Sequence, residues 1–466
     1  MPYNVYRNGN LINSNAVSPY TNTGLTNGQS YTYQVSETNA VGEGPRTAPI
    51  TITPYSTANP PLASPGELQA LINAATSGTT VVVPFKRYIE TATVNKALTL
   101  QGQGSYIDGQ NSRQTWLNIT NSNVNIEEFN CVDAAAGGFQ QGGISAQNVN
   151  NVHLSRLHLI KGPGAGITMS NGTGHRITDV EAERCRASGF TGGFLYDFKI
   201  QSTNNLSWPA RWHHNRTSSA ADPLNEGGGI KTGNTGSNHE ISGQEIDHNA
   251  GPGMWEDIDA STVLIHDNNV HHNTHSGIFF EISRSGRIYN NKVWENGFNI
   301  TIDGTTYFYD NRGDGFGWPG AILSSSSKNI EVDNNLLAWN RVGLSVIYQP
   351  TRPPIGNPVA GGCQVPATQT YYHDNTVIGN TGRLLFTWAQ DGTGGTLYTD
   401  PTNRGVSNDY FSLGGDVANF VYNYNQMMLF QFNATNGEEG GIYINSATKD
   451  SLLTAAGIPL NPEAGH

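Results

Sequence analysis

Past Leu98 the chain is built from short apolar runs closed by polar turns, and one of those turns returns in register. It reads WHHN at Trp212, IDHN at Ile246, VHHN at Val270, VWEN at Val293, LLAWN at Leu336 and TVIGN at Thr376. Each copy ends in asparagine: Asn215, Asn249, Asn273, Asn296, Asn340 and Asn380. The steps from Asn249 to Asn273 and on to Asn296 are 24 and 23 residues. Short strands at that period, with one turn residue recurring, predict a coil of stacked rungs rather than a sandwich. Asparagine suits such a column because it tolerates a left-handed backbone and bonds along the stack. Longer steps mark insertions, expected as loops at 187–206, 217–226, 298–317 and 350–367.

Residues 1–54 show a different period. Apolar and polar positions alternate by two and Asn-Gly turns interrupt them, which predicts antiparallel strands. The stretches GLTNGQSYTYQV, residues 24–35, and NAVGEGP, residues 39–45, resemble the later half of a fibronectin type III domain, without its first two strands. A proline-rich joint spans residues 55–64. A helix is expected to start just after it, with Ser64 as cap, Pro65 in the first turn and Glu67 completing a capping box. That helix would close the N-terminal end of a core formed by residues 65–466.

Composition narrows the class. The 55 glycines among 466 residues fit many tight turns. A formal charge of −12 leaves no basic stripe for nucleic acid or an anionic membrane surface. No run of 18 apolar residues exists, so no transmembrane helix is expected. No signal peptide is visible, and the opening MPYNVYRNG reads as mid-strand, which points to a trimmed N-terminus. Cys131, Cys185 and Cys363 are too scattered for a disulfide framework or a zinc site, and Cys185 is expected in the core.

The chemistry concentrates in GPGMWEDIDASTVLIHDNNVHHNTHSGIFFEIS, residues 251–283, where Gly253-Met254-Trp255-Glu256-Asp257 is echoed by Gly277-Ile278-Phe279-Phe280-Glu281. With Met254 and Ile278 inward, alternation points Trp255, Asp257, Phe279 and Glu281 outward, and stacking puts Asp257 about 4.8 Å below Glu281. Retaining glycosidases need two carboxyl groups about 5–5.5 Å apart, one nucleophile and one acid then base. In GGGIKTGN, residues 227–234, Lys231 falls under Trp255, so a cation adjoins the acids. Trp255 and Phe279 offer flat faces for sugar rings, Trp208, Tyr307, Tyr309 and Trp318 are available to wall a cleft, and Asp259 and His266 are expected near it. Glu256 would point inward, which is costly unless it is neutral or paired. His214, His248 and His272 form a column that stacking explains without zinc. GAGITMSNG, residues 164–172, is a rung turn rather than a phosphate loop, since no helix follows it.

The repeat and its turn column resemble the right-handed parallel β-helix of the pectate-lyase-like superfamily, whose members mostly cut, epimerise or bind polysaccharides. The expected fold is therefore all-β: a right-handed parallel β-helix preceded by a partial fibronectin type III-like β-sandwich. Within that class, Trp255-Glu256-Asp257 followed by Phe280-Glu281 one rung later is similar to β-xylosidase-like glycoside hydrolases. That resemblance implies Asp257 as nucleophile, Glu281 as acid/base, a polysaccharide or oligosaccharide substrate, a secreted protein and no obligatory cofactor. Two other readings remain open. One is a lyase or epimerase with Lys231 as base and calcium on Asp257, Asp259 and Glu281; the other is a non-catalytic adhesin or tailspike-like binding shaft.

Overall fold

The computed structural model describes residues 3–17, 20–26, 29–39, 42–52, 60–205, 207–216, 227–309, 317–350, 367–392, 395–464 and 466. The insertion expected at 217–226 and most of that at 350–367 lie outside these residues, as do Cys363 and much of the proline-rich joint.

Near the N-terminus, the strands Tyr3–Arg7, Asn10–Ala16, Tyr31–Asn39, Gly42–Glu43 and Ile50–Ile52 pair antiparallel, as the period-two pattern requires. Among the described residues they make one five-stranded sheet. The helix Glu67–Ala74 follows. Glu67 accepts the backbone N–H of Ser64 at 2.9 Å, which is half of the expected capping box. Gly66 is the N-cap, however, and the first-turn N–H groups of Leu68 and Gln69 donate to the Glu90 carboxylate at 3.0 and 3.1 Å. An acid from across the chain replaces the serine as cap, so the helix starts later than expected. Leu68 and Ile72 are buried in the main core, closing its end.

From there on, parallel rungs stack. One wall is a 13-stranded sheet from Ala92–Val94 to Asn425–Met427, parallel except in its last pair. Its inward column runs Ile230, Met254, Ile278, Ile322, Leu344 and Phe386, each paired with the next. A second wall stacks Ile241, Ile265, Ile288, Val332 and Tyr372, and a third stacks Ile246, Val270, Val293, Leu337, Val377 and Tyr410. All are buried and together they form one continuous apolar core. Burial of like on like in every rung is what a strict strand register demands. Cys131 and Cys185 are buried in that core, as expected for Cys185.

The asparagine column is a hydrogen-bonded ladder. Each side-chain amide donates to the next side-chain oxygen from Asn215 through Asn249, Asn273 and Asn296 to Asn340, at 2.9 to 3.0 Å. Asn380 does not extend it: the Asn340 amide donates to the carbonyls of Val293 and Ala338, the Asn380 side-chain oxygen accepts the N–H of Thr381 at 2.7 Å, and its amide donates to the carbonyl of His466 at 2.5 Å. A second ladder runs parallel to the first through Asn268, Asn291, Asn335, Asn375 and Asn408, with each step at 2.9 Å, and ends on Glu438 at 2.8 Å. Asn408 and the Tyr410 hydroxyl both donate to that carboxyl, yet burial pushes it up to about 7. Among the described residues no helix is long and apolar enough to cross a membrane.

Candidate active site

The outward face of the 13-stranded wall carries a cleft of about 970 Å³. Its floor is one column of outward positions. Gln147 pairs with Ser170, Ser170 with Gly193, Gly193 with Gly233 and Gly233 with Asp257. The register Trp255↔Phe279 and Glu256↔Phe280 then carries Asp257 directly beneath Glu281. Five steps of about 4.8 Å give a groove of roughly 24 Å along the coil axis. The two glycines below Asp257 leave that floor bare, so a chain-like ligand has room to lie along it.

Asp257 and Glu281 are 7% and 5% exposed and both line the cleft. The Lys231 ammonium lies 3.4 Å from Asp257 Oδ2 and 3.6 Å from the centroid of the Trp255 ring. Asp257 Oδ1 also accepts the N–H of Ile258 at 2.8 Å, which fixes the carboxyl plane.

The aromatic residues act differently from the flat platforms expected of them. Trp255 and Phe279 are only 4% and 3% exposed. They stack on each other with centroids 5.3 Å apart and planes at 22°. Lys231 covers Trp255, and Trp318 meets Phe279 edge to face at 5.3 Å. Their broad faces are thus occupied, and both rings buttress the strands that carry the acids. Trp318 lines the cleft and is the more open of the three, held also by the buried His275 at 5.7 Å. Trp208, Tyr307 and Tyr309 do not line it. Tyr307 packs on Ala250, Ile300 and Ile302, and Arg341 covers Tyr309 at 3.9 Å.

Two further expectations are corrected by the turn that follows Asp257. Ile258 and Asp259 take φ of 42° and 58°, so strand alternation stops there. Asp259 turns away from the cleft and pairs with Arg284 at 2.5 Å. The strand Ser261–His266 belongs to the second wall, where the His266 ring stacks on Tyr289 at 4.7 Å and Nδ1 bonds Asp267 at 2.7 Å. Neither Asp259 nor His266 reaches the cleft. The calcium set of Asp257, Asp259 and Glu281 therefore loses a member.

The same turn builds the cleft's lip. On earlier rungs its left-handed position holds Asn148 and Asn171, but along the cleft it holds Phe194, Asn234, Ile258 and Ile282, with φ of 55°, 52°, 42° and 46°. A β-branched residue in that region costs of order 1–3 kcal/mol. Ile258 and Ile282 pack on each other and both line the cleft. Strain is concentrated beside the two acids.

Glu256 points inward, as alternation requires, and is fully buried. Thr232 donates its hydroxyl to it. Burial is the main reason its carboxyl is pushed up to about 8, with the nearby Asp257 charge adding to the rise. His239 Nε2 is 3.7 Å away, but burial pushes that ring down to about 3, so it stays neutral. Glu256 is therefore a neutral core carboxyl directly behind Asp257.

His214, His248 and His272 stack face to face, with centroids 5.2 and 4.8 Å apart and planes within 5° and 3°. Stacked rings do not converge their nitrogens on one point. Cleft residues not singled out from sequence include Thr168, Thr191, Gln349 and Asp391. Thr191 and Thr168 were within reach of the register argument, since they continue the Lys231 column downwards. Gln349 and Asp391 follow insertions that break the register.

Residues 118–337 match the family model for the right handed beta helix region. A search of curated proteins finds no match to this sequence. Among solved structures, the chain is similar to the A-module of the Azotobacter vinelandii mannuronan C-5 epimerase AlgE4, at 14% identity over 76% of this chain and 93% of that one, with a TM-score of 0.54. It is also similar to the catalytic unit of a thermostable GH87 alpha-1,3-glucanase from Streptomyces thermodiastaticus, at 12% identity over 96% and 84%, with a TM-score of 0.43. A Yersinia enterocolitica Family 28 exopolygalacturonase aligns at 11% identity over 95% and 93%, with a TM-score of 0.30. The family match, the epimerase module and the parallel pairing agree on the fold: from its capping helix onward, the chain is a right-handed parallel β-helix.

Proposed function

We propose that the protein is a carbohydrate-active enzyme, and specifically a glycoside hydrolase acting with retention of configuration on an oligosaccharide or polysaccharide laid along the coil axis. The observation that carries this reading is the consecutive placement of Asp257 and Glu281 in one outward column at the floor of a groove. Spacing by one rung, about 4.8 Å between strands, is close to what a nucleophile and an acid/base need on one glycosidic bond. Asp257, paired with Lys231, attacks the anomeric carbon. Glu281 gives its proton to the departing glycosidic oxygen, then takes one from the water that releases the sugar from Asp257. The groove lining supports a neutral sugar: amides and hydroxyls of Gln140, Gln147, Thr168, Ser170 and Thr191 alternate along it.

The lyase or epimerase reading has one observation in its favour, a lysine amine inside the cleft. Two facts weigh against it. The Lys231 Nζ is engaged by Asp257 Oδ2 at 3.4 Å and by the Trp255 face at 3.6 Å. Among the described lining residues a polyuronate would also meet three carboxylates, Asp257, Glu281 and Asp391, beside Lys231. A polymeric substrate of this kind would place the protein's action outside the cell.

The test is a glycan panel scored for new reducing ends and for ultraviolet-absorbing unsaturated products, with Asp257→Asn and Glu281→Gln alongside. The expected result is reducing ends of retained configuration and a loss of about a hundred- to ten-thousand-fold in each variant, with folding intact. Unsaturated product would favour the lyase. Tight glycan binding without turnover would favour a binding shaft. Full activity in either variant would end the proposal.

A further inference from the structure

The histidine stack ends in a cluster that stacking does not explain. His271 Nε2 lies 2.5 Å from Glu245, and its Nδ1 lies 2.7 Å from His272 Nδ1. His272 Nε2 then faces two carboxylate oxygens, Glu295 Oε2 at 2.9 Å and Glu463 Oε1 at 3.1 Å. Glu245 only accepts, so His271 Nε2 donates to it. If both rings are neutral, His271 Nδ1 accepts from His272 Nδ1, and His272 turns a bare lone pair toward two anions. That arrangement requires one further cation, either a proton somewhere in the pair or a metal on His272 Nε2.

Three details favour the metal. Glu295 is fully buried, and its Oε2 has no directed hydrogen bond although His272 Nε2 and His466 Nδ1 stand 2.9 and 3.4 Å from it. His466 Nδ1 likewise lacks one. Contacts of 2.9 and 3.1 Å from His272 Nε2 to the two carboxylates are also close to the edges of a tetrahedron with bonds near 2.0–2.1 Å, which are about 3.3 Å. Finally, the two comparable clusters are already compensated. Arg211 forks onto Asp247 beside His248 and His271, at 2.7 and 2.6 Å, and Arg287 forks onto Asp333 beside Glu331 and His373, at 2.8 Å twice. In the third group the carboxylates face histidines instead.

We propose that His272 Nε2, Glu295 Oε2 and Glu463 Oε1 form a structural site for a zinc-class divalent ion. An imidazole with two carboxylates suits a borderline transition cation better than calcium or magnesium, which prefer all-oxygen shells. The three ligand atoms lie within 4.8 Å of one another, a water completes the tetrahedron, and His466 Nδ1 stands 3.4 Å from Glu295 Oε2 as outer support. The Glu245–His271–His272 chain is the outer support that orients a ligating imidazole. Glu295 Oε1 accepts the N–H of Glu463 at 2.7 Å, and His466 stacks on Phe298 at 4.1 Å, so the segment that supplies Glu463 is already docked. The ion fastens that segment to rungs more than 160 residues earlier, beside the helix Ser446–Ala456, whose Leu453 packs on Ala338, Trp339 and Ile378.

The experiment uses tag-free full-length protein, stripped with a chelator and titrated with zinc alone by calorimetry, with thermal unfolding followed in parallel. One zinc per chain and a Tm that climbs with zinc concentration are expected, as is the visible absorption of a tetrahedral Co2+ derivative. Glu463→Gln, at a partly exposed ligand, should bind zinc about ten-fold or more weakly while the metal-free Tm is unchanged. Glu295→Gln and His272→Gln should abolish binding. Absence of stoichiometric zinc uptake, or equal uptake by the Glu463→Gln protein, would overturn the site and leave a protonated histidine pair in its place.

Discussion

Replacing Glu256 with glutamine should flatten the pH dependence of folding stability. In the native chain this carboxyl is fully buried behind Asp257, with Thr232 donating to it and a neutral His239 3.7 Å away. Burial raises it from 4.5 to about 8. Between those values the folded chain keeps the proton and the unfolded chain releases it. The folded state then binds more protons, so stability falls as pH rises through the window and levels off above it. Each unit of pH inside the window costs about 1.4 kcal/mol, so from pH 4.5 to pH 7 this one side chain removes about 3 kcal/mol. Glutamine is neutral throughout and its amide oxygen can still accept the Thr232 hydroxyl. Urea denaturation followed by circular dichroism, at steps between pH ~5 and ~8, reads the effect as a change in midpoint at constant m. Glu438, pushed up to about 7 by burial, declines in both proteins, so the difference between them isolates Glu256. The same slope in Glu256→Gln as in the parent would refute the reasoning.

The other predictions concern the ladders and the groove. Asn291→Ala removes an amide that donates to Asn335, Ile265 and Tyr289 and an oxygen that accepts twice from Asn268. With several buried partners left unsatisfied, about 3–5 kcal/mol should be lost, measurable by the same denaturation. Gly193→Leu introduces a side chain onto the bare floor two rungs below Asp257, where the nearest atom to a new Cβ is Gly233 O at 3.6 Å. It should fold normally and raise KM for long substrates about ten-fold, roughly 1.4 kcal/mol, while sparing the shortest one. An equal effect on all lengths would place the substrate elsewhere.

The rungs, the stacking of Asp257 under Glu281, the inward Glu256 and the cation under Trp255 were all legible in the sequence, because each follows from register and side-chain alternation alone. The second ladder is written there too: Asn268, Asn291, Asn335 and Asn375 each stand five residues before a member of the first column. Asp259 and His266 lie off the cleft for a reason that alternation does not carry. Alternation holds only while the backbone stays extended, and nothing in the residue types announces that Ile258 takes a left-handed φ, a conformation its branched side chain opposes. The covering of Trp255 and Phe279 was equally hidden, since Trp318 reaches them from another part of the chain and Lys231 lies on the ring instead of pointing to solvent. The capping of the first helix by Glu90, and the diversion of Asn380 to His466, likewise depend on contacts that no local pattern encodes.

The failures at Ile258, Asp259, Trp255 and Phe279 gather on or beside the 13-stranded wall, and the energetics say why. The two asparagine ladders lie at the turns flanking the third wall, where every amide is satisfied and the strands follow the rules that make a sequence readable. The 13-stranded wall breaks several of those rules within four rungs: two glycines in one outward column, isoleucines at left-handed φ, a neutral glutamate in the core and paired acids at the surface. Each costs stability by itself, and a wall composed only of such features would not hold its register. The ladders and the continuous aliphatic core offset that cost because neighbouring rungs share it along the coil. Local rules fail most often where a protein places its function, and here the violations lie beside Asp257 and Glu281, the pair proposed above as catalytic. Relieving them one at a time, through Glu256→Gln behind the site and Gly193→Leu below it, separates their contributions: the first should change stability while leaving turnover alone, and the second should do the reverse.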